Sequence, residues 1–172
     1  MVTAIENDPL NNPFWQFSLD VYAHADIAPK CLHLQEKHQI DVNLVLFGLW
    51  LGHEGWLIPD KAIAQEITKN VAQWRTDVII PLRRYRVNFQ SLNKRLSNKK
   101  NPLRKQIKKL EIDAEQVEQA ILYELSQQKT LKLTGNKFVA MIENIITLQP
   151  ALHQEKSLLE NFVMLVNARG VA

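Results

Sequence analysis

The 172-residue chain has few of the residues that cross-link a fold or allow sharp turns: it contains a single cysteine, Cys31, and five glycines. One cysteine cannot form an intrachain disulfide, which fits a reducing compartment, so we expect a cytoplasmic protein. The longest apolar run, 44–52, is far shorter than the ~20 residues that span a bilayer, so no membrane insertion is expected. Residues 1–12 lack the cationic and apolar segments of a secretory signal.

Strand-like alternation is also missing, whereas apolar residues recur at spacings of three and four in several segments. A chain of this length, with 46% hydrophobic residues, can bury a core without a disulfide or a metal. We therefore expect an all-α protein without a sheet. Residues 1–172 should form a single-domain bundle of about six to seven helices, with residues 1–12 as a flexible N-terminal arm.

Several positions predict where helices begin and end. Asn12 before Pro13 is a good cap for a first helix, and Asp41 is placed to cap another over about 42–53. That helix is apolar nearly all round, which predicts a position at the centre of the core, with Gly52 and Gly55 at its end. A later helix begins near residue 61 and should kink or break at Pro81, because proline removes a backbone donor and clashes with the preceding turn.

Two further apolar stripes predict an antiparallel helical hairpin, over about 82–96 and about 102–125. The segment 97–102 between them has the composition of a turn. We expect the stripes to face each other as the apolar seam of the hairpin; they consist of Leu82, Tyr85, Phe89, Leu92 and Leu96, and of Leu103, Ile107, Leu110, Ala114, Val117 and Ile121.

Charge is distributed unevenly, although the net charge is only +3. Residues 75–109 carry twelve basic side chains and one acid, Asp77, for a net charge of +11, so the remainder carries −8. The predicted tip of the hairpin holds eight cations and no anion: Lys94, Arg95, Lys99, Lys100, Arg104, Lys105, Lys108 and Lys109.

Clustered lysines and arginines attract phosphates, so this tip is a candidate site for RNA or DNA. An acidic protein surface is a second candidate partner. A third interpretation is that these charges are merely the solvated faces of two amphipathic helices. No aromatic residue lies between Asn93 and Asp113, which disfavours base stacking and favours recognition of the nucleic-acid backbone or shape.

A second set of polar side chains accompanies the apolar helices. Arg83 and Arg86 are three residues apart, one turn after Pro81, and can point along the same side of a helix. The set is interpreted either as a buried network of ion pairs or as a ligand pocket in which the arginines bind an anionic group and Trp50, Trp56 or Trp74 forms a wall. Its members are Gln35, Asp41, Asn43, Trp50, Trp74, Arg83 and Arg86.

Known catalytic and cofactor motifs are missing. There is no glycine-rich phosphate loop, no Gly-x-Ser-x-Gly and no Glu-x-x-His. Four histidines lie between residues 24 and 53, but their spacings do not place metal ligands on one helix face. Cys31 lies among leucines, which favours a buried structural thiol. We therefore expect no catalytic residue, no metal and no cofactor, and favour a non-enzymatic protein.

The same polar and aromatic positions also carry a family resemblance. The motifs Phe-Trp-x-Phe-Ser-Leu at 14–19, Cys-Leu-x-Leu-Gln at 31–35, Asp-Val-Asn at 41–43, Leu-Trp-Leu at 49–51 and Trp-Arg at 74–75, followed by Pro-Leu-Arg-x-x-Arg at 81–86, resemble those of a family of small uncharacterised bacterial proteins. The resemblance covers about residues 13–120. It implies a cytoplasmic bacterial protein of unknown function and assigns no role to any residue.

The leading hypothesis is therefore a helical interaction protein that binds an anionic macromolecule, RNA or DNA first, through the basic tip of its hairpin. Two alternatives remain open. One is a small-molecule binding protein or enzyme with a polar pocket between helices. The other is a protein–protein adaptor that uses an exposed apolar stripe.

Overall fold

The computed structural model describes residues 8–89 and 97–168, and of residues 97–100 it describes the backbone alone. Within this part the chain is all-α. The α-helices are α1 (Pro13–Tyr22), α2 (Ile27–His38), α3 (Val42–His53), α4 (Lys61–Trp74), α5 (Ile80–Asn88), α6 (Ser97–Gln128), α7 (Lys137–Leu148) and α8 (Lys156–Asn167). A π-helical segment, Arg75–Ile79, joins α4 to α5, and a 3₁₀ segment, Pro150–Glu155, precedes α8.

Side-chain caps start the helices at the predicted residues. The Oδ1 atom of Asn12 accepts a hydrogen bond from the Trp15 N–H at 2.9 Å, and Asp41 Oδ1 accepts one from the Asn43 N–H at 3.0 Å. These bonds satisfy backbone donors that have no partner inside a helix. The predicted starts of α1 and α3 are therefore confirmed.

Helix α3 lies at the centre of the core, as predicted: its residues 42–52 are all buried. Its main neighbour is α7, and glycine allows the two helices to approach closely. A methyl group added to Gly48 would lie 2.9 Å from the Ile145 backbone nitrogen, and one on Gly52 would overlap Met141. The helix ends at His53, close to Gly52 and Gly55 as predicted: the Gly52 carbonyl accepts from the Gly55 N–H at 3.0 Å, and Gly55, with φ of 83°, makes the turn. Gly52 has a second role as a packing residue against α7.

One short sheet interrupts the helical architecture, although none was expected. Strand β1 (Trp56–Leu57) pairs antiparallel with β2 (Lys132–Leu133), Trp56 lying opposite Leu133. Strands of two residues are too short to show alternation in the sequence. The pairing joins the segment after α3 to the segment after α6.

The π-helical segment modifies the break predicted at Pro81. The Ile80 N–H donates to the Arg75 carbonyl, five residues earlier, so the chain passes from α4 to α5 through one wide turn. A regular α-turn at this place would set the Pro81 ring against the carbonyl four residues before it. The helix therefore continues through the proline, and residues Arg75–Ile79 are rotated relative to a regular helix.

Helices α5 and α6 form the predicted antiparallel hairpin, with different ends. The prediction of a turn at 97–102 is wrong, because α6 begins at Ser97 and contains Pro102. Pro102 is the sixth residue of α6, so the helix lacks one backbone hydrogen bond there and continues through the proline. Helix α5 ends at Asn88, and residues 90–96 lie outside the described residues.

The N-terminal segment is partly described. Residues 1–7 of the predicted arm lie outside the described residues. Residues 8–12 make a turn against α6, where Gln116 Nε2 donates to the Leu10 carbonyl at 3.0 Å. Among the described helices, none is long and apolar enough to cross a membrane.

Candidate functional site: the polar cluster and the basic hairpin

Arginines on α5 and carboxylates on α6 hold the hairpin together. Arg83 Nε donates to Glu111 Oε1 at 2.9 Å, and Arg83 Nη2 donates to Glu115 Oε1 at 2.7 Å. Arg86 also donates to both carboxylate oxygens of Glu111. One buried carboxylate thus receives two arginines. Arginine suits this geometry, because its planar fork offers several donors at fixed angles.

The pKa values of these carboxyls follow from their surroundings. Glu111 is buried, which opposes ionisation, but its hydrogen bonds from Arg86 and Arg83 prevail and lower its pKa. Glu115 is partly buried, and there the burial prevails over Arg83 and raises the pKa. Glu111 is therefore ionised, and two guanidinium groups surround its negative charge.

The predicted apolar seam of the hairpin is wrong in its outer part. Tyr85 is 61% exposed, Leu110 is 54% exposed and Leu103 is 43% exposed, whereas Glu111 is buried. Since no residue of α5 is buried, the arginine–glutamate cluster replaces the apolar contact. The seam residues nearer the body, Ala114 among them, do turn inward. The outer hairpin therefore exposes apolar and basic side chains side by side.

Arg75 connects the π-helical segment to the turn between α2 and α3. Its Nε lies 3.1 Å from Asp41 Oδ2, and its Nη2 donates to the carbonyls of Gln39 and Ile40, each at 3.2 Å. Gln39 has a left-handed φ of 56°, which turns the chain after α2. The wide π turn thus directs an arginine at the cap of the central helix.

A fully buried carboxyl, Glu118, lies beside this cap. Its Oε2 accepts from Asn43 Nδ2 at 2.5 Å, and Asn43 Oδ1 accepts in turn from Gln119 Nε2 at 2.9 Å. Its other oxygen, Oε1, has no hydrogen-bond partner among the described residues. Burial and the adjacent Asp41 raise the pKa of Glu118 to about 9.

Charge counting agrees with a neutral Glu118. The cluster contains three cations, Arg75, Arg83 and Arg86, and four carboxyls, Asp41, Glu111, Glu115 and Glu118. Three carboxylates balance the three guanidinium groups, and Glu118 has no arginine of its own. A proton on Glu118 Oε1 turns this oxygen into a hydrogen-bond donor, and the carboxylate of Asp41 can accept the bond.

The other predicted members of the polar set are separated. Trp74 joins the cluster through its indole N–H, which donates to the Ala114 carbonyl at 2.9 Å. Trp50 instead packs among Phe14, Phe47 and Tyr123, away from the arginines. Gln35 is half-buried on α2, and its side chain makes no hydrogen bond to any described residue.

Basic side chains cover the N-terminal part of α6. Lys105 and Lys108 are exposed and pair with no described carboxylate, Arg104 is half-buried, and Lys109 pairs with Asp113 at 2.7 Å. Every side chain described over 101–110 is exposed or half-buried. Of the acids that follow, only Asp113 is paired with a described lysine of this surface, whereas Glu111, Glu115 and Glu118 point into the polar cluster. Lys94 and Arg95 lie outside the described residues, as do the side chains of Lys99 and Lys100.

Two grooves among the described residues lie away from the polar cluster. One of about 500 Å³ is lined by the segment before α4 and by α7 and α8. The other, of about 330 Å³, lies beside Trp50 and Trp56. Cys31 is buried, and burial raises the pKa of its thiol to about 11, which disfavours the reactive thiolate. Among the described residues, no group of three or more His, Cys, Asp or Glu is placed to hold a metal ion.

The acidic half of the cluster was missed in the sequence. Glu111, Glu115 and Glu118 are not among the members of the polar set that the sequence predicts. Their spacings of four and three residues place them on one face of α6, which is the pattern of a buried stripe. The sequence does contain a signal for these glutamates. Acidic residues recur at this spacing on α6, in the helix that follows the spaced arginines Arg83 and Arg86.

Comparison with known proteins identifies a family. A family model described as "Protein of unknown function (DUF2390)" matches residues 13–122. The match covers α1 to α5 and most of α6, and so includes the entire polar cluster. No curated protein and no solved structure matches the chain.

Proposed function

Because the chain belongs to the DUF2390 family, whose function is unknown, we propose a function from its own surface: the basic hairpin binds the phosphate backbone of nucleic acid. The hairpin acts as a binding arm of a non-enzymatic helical protein. A cytoplasmic bacterial setting belongs to the proposal, supported by the single buried cysteine and by the resemblance of the sequence motifs.

The observation that carries the proposal is the direction of the acidic side chains. Three cations of the +11 segment, Arg75, Arg83 and Arg86, are paired inside the polar cluster. If the acids of α6 also covered the lysines at the start of that helix, no basic surface would remain there. Glu111, Glu115 and Glu118 instead face the polar cluster, and Lys105 and Lys108 are left exposed. Unpaired cations on a helix surface bind phosphates and release their counterions.

The shape of the arm fits contact with a backbone. From Ser97 to Leu110 the helix rises by roughly 21 Å at 1.5 Å per residue, a length that passes several phosphates. The described part of the arm on α6 contains no aromatic side chain that could stack on bases. Recognition of the charged backbone, without base readout, is the mode that this composition supports.

Charge reversal tests the proposal. We would measure the fluorescence anisotropy of labelled RNA and DNA, single-stranded and duplex, at low salt. Replacing Lys99, Lys100, Arg104 and Lys105 with glutamate should abolish binding. A matched control replaces four exposed lysines elsewhere, Lys61, Lys69, Lys137 and Lys156, with glutamate.

The control should lower the affinity much less than the hairpin variant does. Circular dichroism would show that both variants fold. Absence of binding by the unmodified protein, or equal losses in the hairpin variant and the control, would refute the proposal.

An acidic protein surface is a second candidate partner, favoured by the exposed apolar residues of the outer hairpin. Tyr85, Leu103 and Leu110 contribute little to phosphate binding but would pack against a partner's apolar side chains. Affinity purification from the native cell, with and without nuclease, distinguishes the two candidates. Partners that persist after nuclease treatment would support the acidic protein surface.

A further inference from the structure

The groove beside Trp50 lies at the opposite end of α6 from the basic surface. It is lined by Trp50 and Leu51 of α3, Trp56 of β1, and residues at and after the end of α6 that include Ser126, Gln127 and Thr130. Ser126 is 17 residues from Lys109, roughly 25 Å along the helix. With a volume of about 330 Å³, the groove is the size of a site for a small molecule.

The two tryptophans of this groove differ from Trp74 in that their indole N–H groups donate to no described residue. The N–H of Trp74, by contrast, donates to a carbonyl. No described residue accepts from Trp50 Nε1 or from Trp56 Nε1. Trp50 is only 6% exposed, and it lines the groove. Buried tryptophans usually pair this donor, so an indole N–H that no described residue accepts, on a residue that lines a cavity, is suited to an acceptor from outside.

Other polar groups at the groove set its chemistry. The exposed Thr130 offers a hydroxyl, and Gln127 Nε2 donates to Ser126 Oγ at 2.9 Å. Lys129 lies at the rim, where its ammonium group is paired with Glu66 of α4. The unpaired groups of the aromatic wall are thus donors, and no carboxylate lines the groove. A flat ligand with an acceptor oxygen suits such a wall.

We propose that this groove binds a small planar aromatic molecule that carries a carboxylate or carbonyl oxygen. The ring packs against the tryptophan side chains, and the oxygen accepts from an indole N–H. The site is separate from the hairpin. Its tryptophans lie within the family match, which ends at residue 122, and its residues from Ser126 onward lie beyond it.

Titration of the ¹⁵N-labelled protein with 4-fluorobenzoate tests this proposal. The chain has four tryptophans, so its spectrum contains four indole N–H resonances, assigned with single Trp→Phe variants. The resonances of Trp50 and Trp56 should shift with added ligand. Those of Trp15, on α1, and of Trp74 should stay in place and serve as internal controls. Fluorobenzene, which has the ring without the acceptor, should bind at least about tenfold more weakly.

Variants then locate the site. Trp50→Phe keeps an aromatic ring and removes the donor, and Trp56→Leu removes an aromatic wall. Each should weaken the binding of 4-fluorobenzoate about tenfold, whereas Trp15→Phe should leave it unchanged. Shifts that are absent at millimolar ligand, that are equal in all four indoles, or that persist in both variants would overturn the proposal.

Discussion

Replacement of Glu118 by glutamine should make the protein more stable at alkaline pH. Glutamine has nearly the same shape as glutamic acid, can donate to Asp41 in place of the proton, and can accept from Asn43 as Glu118 does. It carries no charge at any pH. The variant therefore keeps the contacts of the protonated residue and removes its ionisation.

The magnitude follows from the shift of the Glu118 pKa from 4.5 to about 9 on folding. Between these values the folded protein holds a proton that the unfolded chain releases, so stability falls as the pH rises. The fall reaches about 1.4 kcal/mol per pH unit for one such group. The difference in free energy of unfolding between Glu118→Gln and the unmodified protein should therefore increase by about 2 to 3 kcal/mol, in favour of the variant, between pH 6 and pH 8.

Urea unfolding at a series of pH values, followed by tryptophan fluorescence, measures this difference. Glu124→Gln is the matched control, because Glu124 is an exposed residue of the same helix and loses the same charge. Its difference from the unmodified protein should not change with pH. A pH-independent difference for Glu118→Gln, or one that shrinks as the pH rises, would refute the shared proton.

Three further predictions concern the hairpin, the core and the cysteine. Glu111→Gln should cost about 3 to 5 kcal/mol in urea unfolding, because it leaves Arg86 without its carboxylate and removes one of the two carboxylates paired with Arg83. Asp113→Asn, which breaks the exposed Lys109–Asp113 pair of the same helix, should cost less than about 1 kcal/mol, and equal costs would contradict the cluster. Because the pKa of Glu111 is lowered on folding, its stabilisation should be present above pH 4.5 and be lost on acidification. Gly52→Ala should lower the thermal midpoint measured by calorimetry by several degrees, because the added methyl group overlaps α7. Gly135→Ala is the control and should leave the midpoint unchanged, since its methyl group meets no atom within 4 Å; equal midpoints for the two variants would contradict the close packing. Cys31 should react with a thiol reagent only on unfolding, and rapid labelling of the folded protein would contradict its burial.

The sequence predicted those features of the helices that depend on residues close together in the chain. The caps at Asn12 and Asp41 depend on side chains that bond two or three residues ahead, and the all-round apolar composition of 42–52 implies its burial. The hairpin followed from its stripes, but its ends did not, because α6 continues through Pro102, a residue that predicts a break in a helix. The π turn at 75–79 was not predictable either, since a single extra residue per turn leaves almost no trace in the periodicity.

The polar cluster shows a different limit. Arg83 and Arg86 were identified as a pair, but their partners lie on α6, and sequence spacing does not say which helices meet. The apolar stripe of 103–121 competed with the acidic stripe of Glu111, Glu115 and Glu118 for the inward face. Near the hairpin the acids face inward, because the facing helix offers arginines. Only the assembled structure decides such a competition.

The salt dependence of nucleic-acid binding tests the central claim most directly. Affinity for a DNA duplex, plotted as log K against log salt, falls with a slope of about −0.9 for each phosphate contacted. Replacing Lys105 and Lys108 with glutamine should make this slope shallower by about two, whereas the same change at Lys69 and Lys156 should leave it as it is. A slope that is unchanged by the hairpin substitutions would contradict the account.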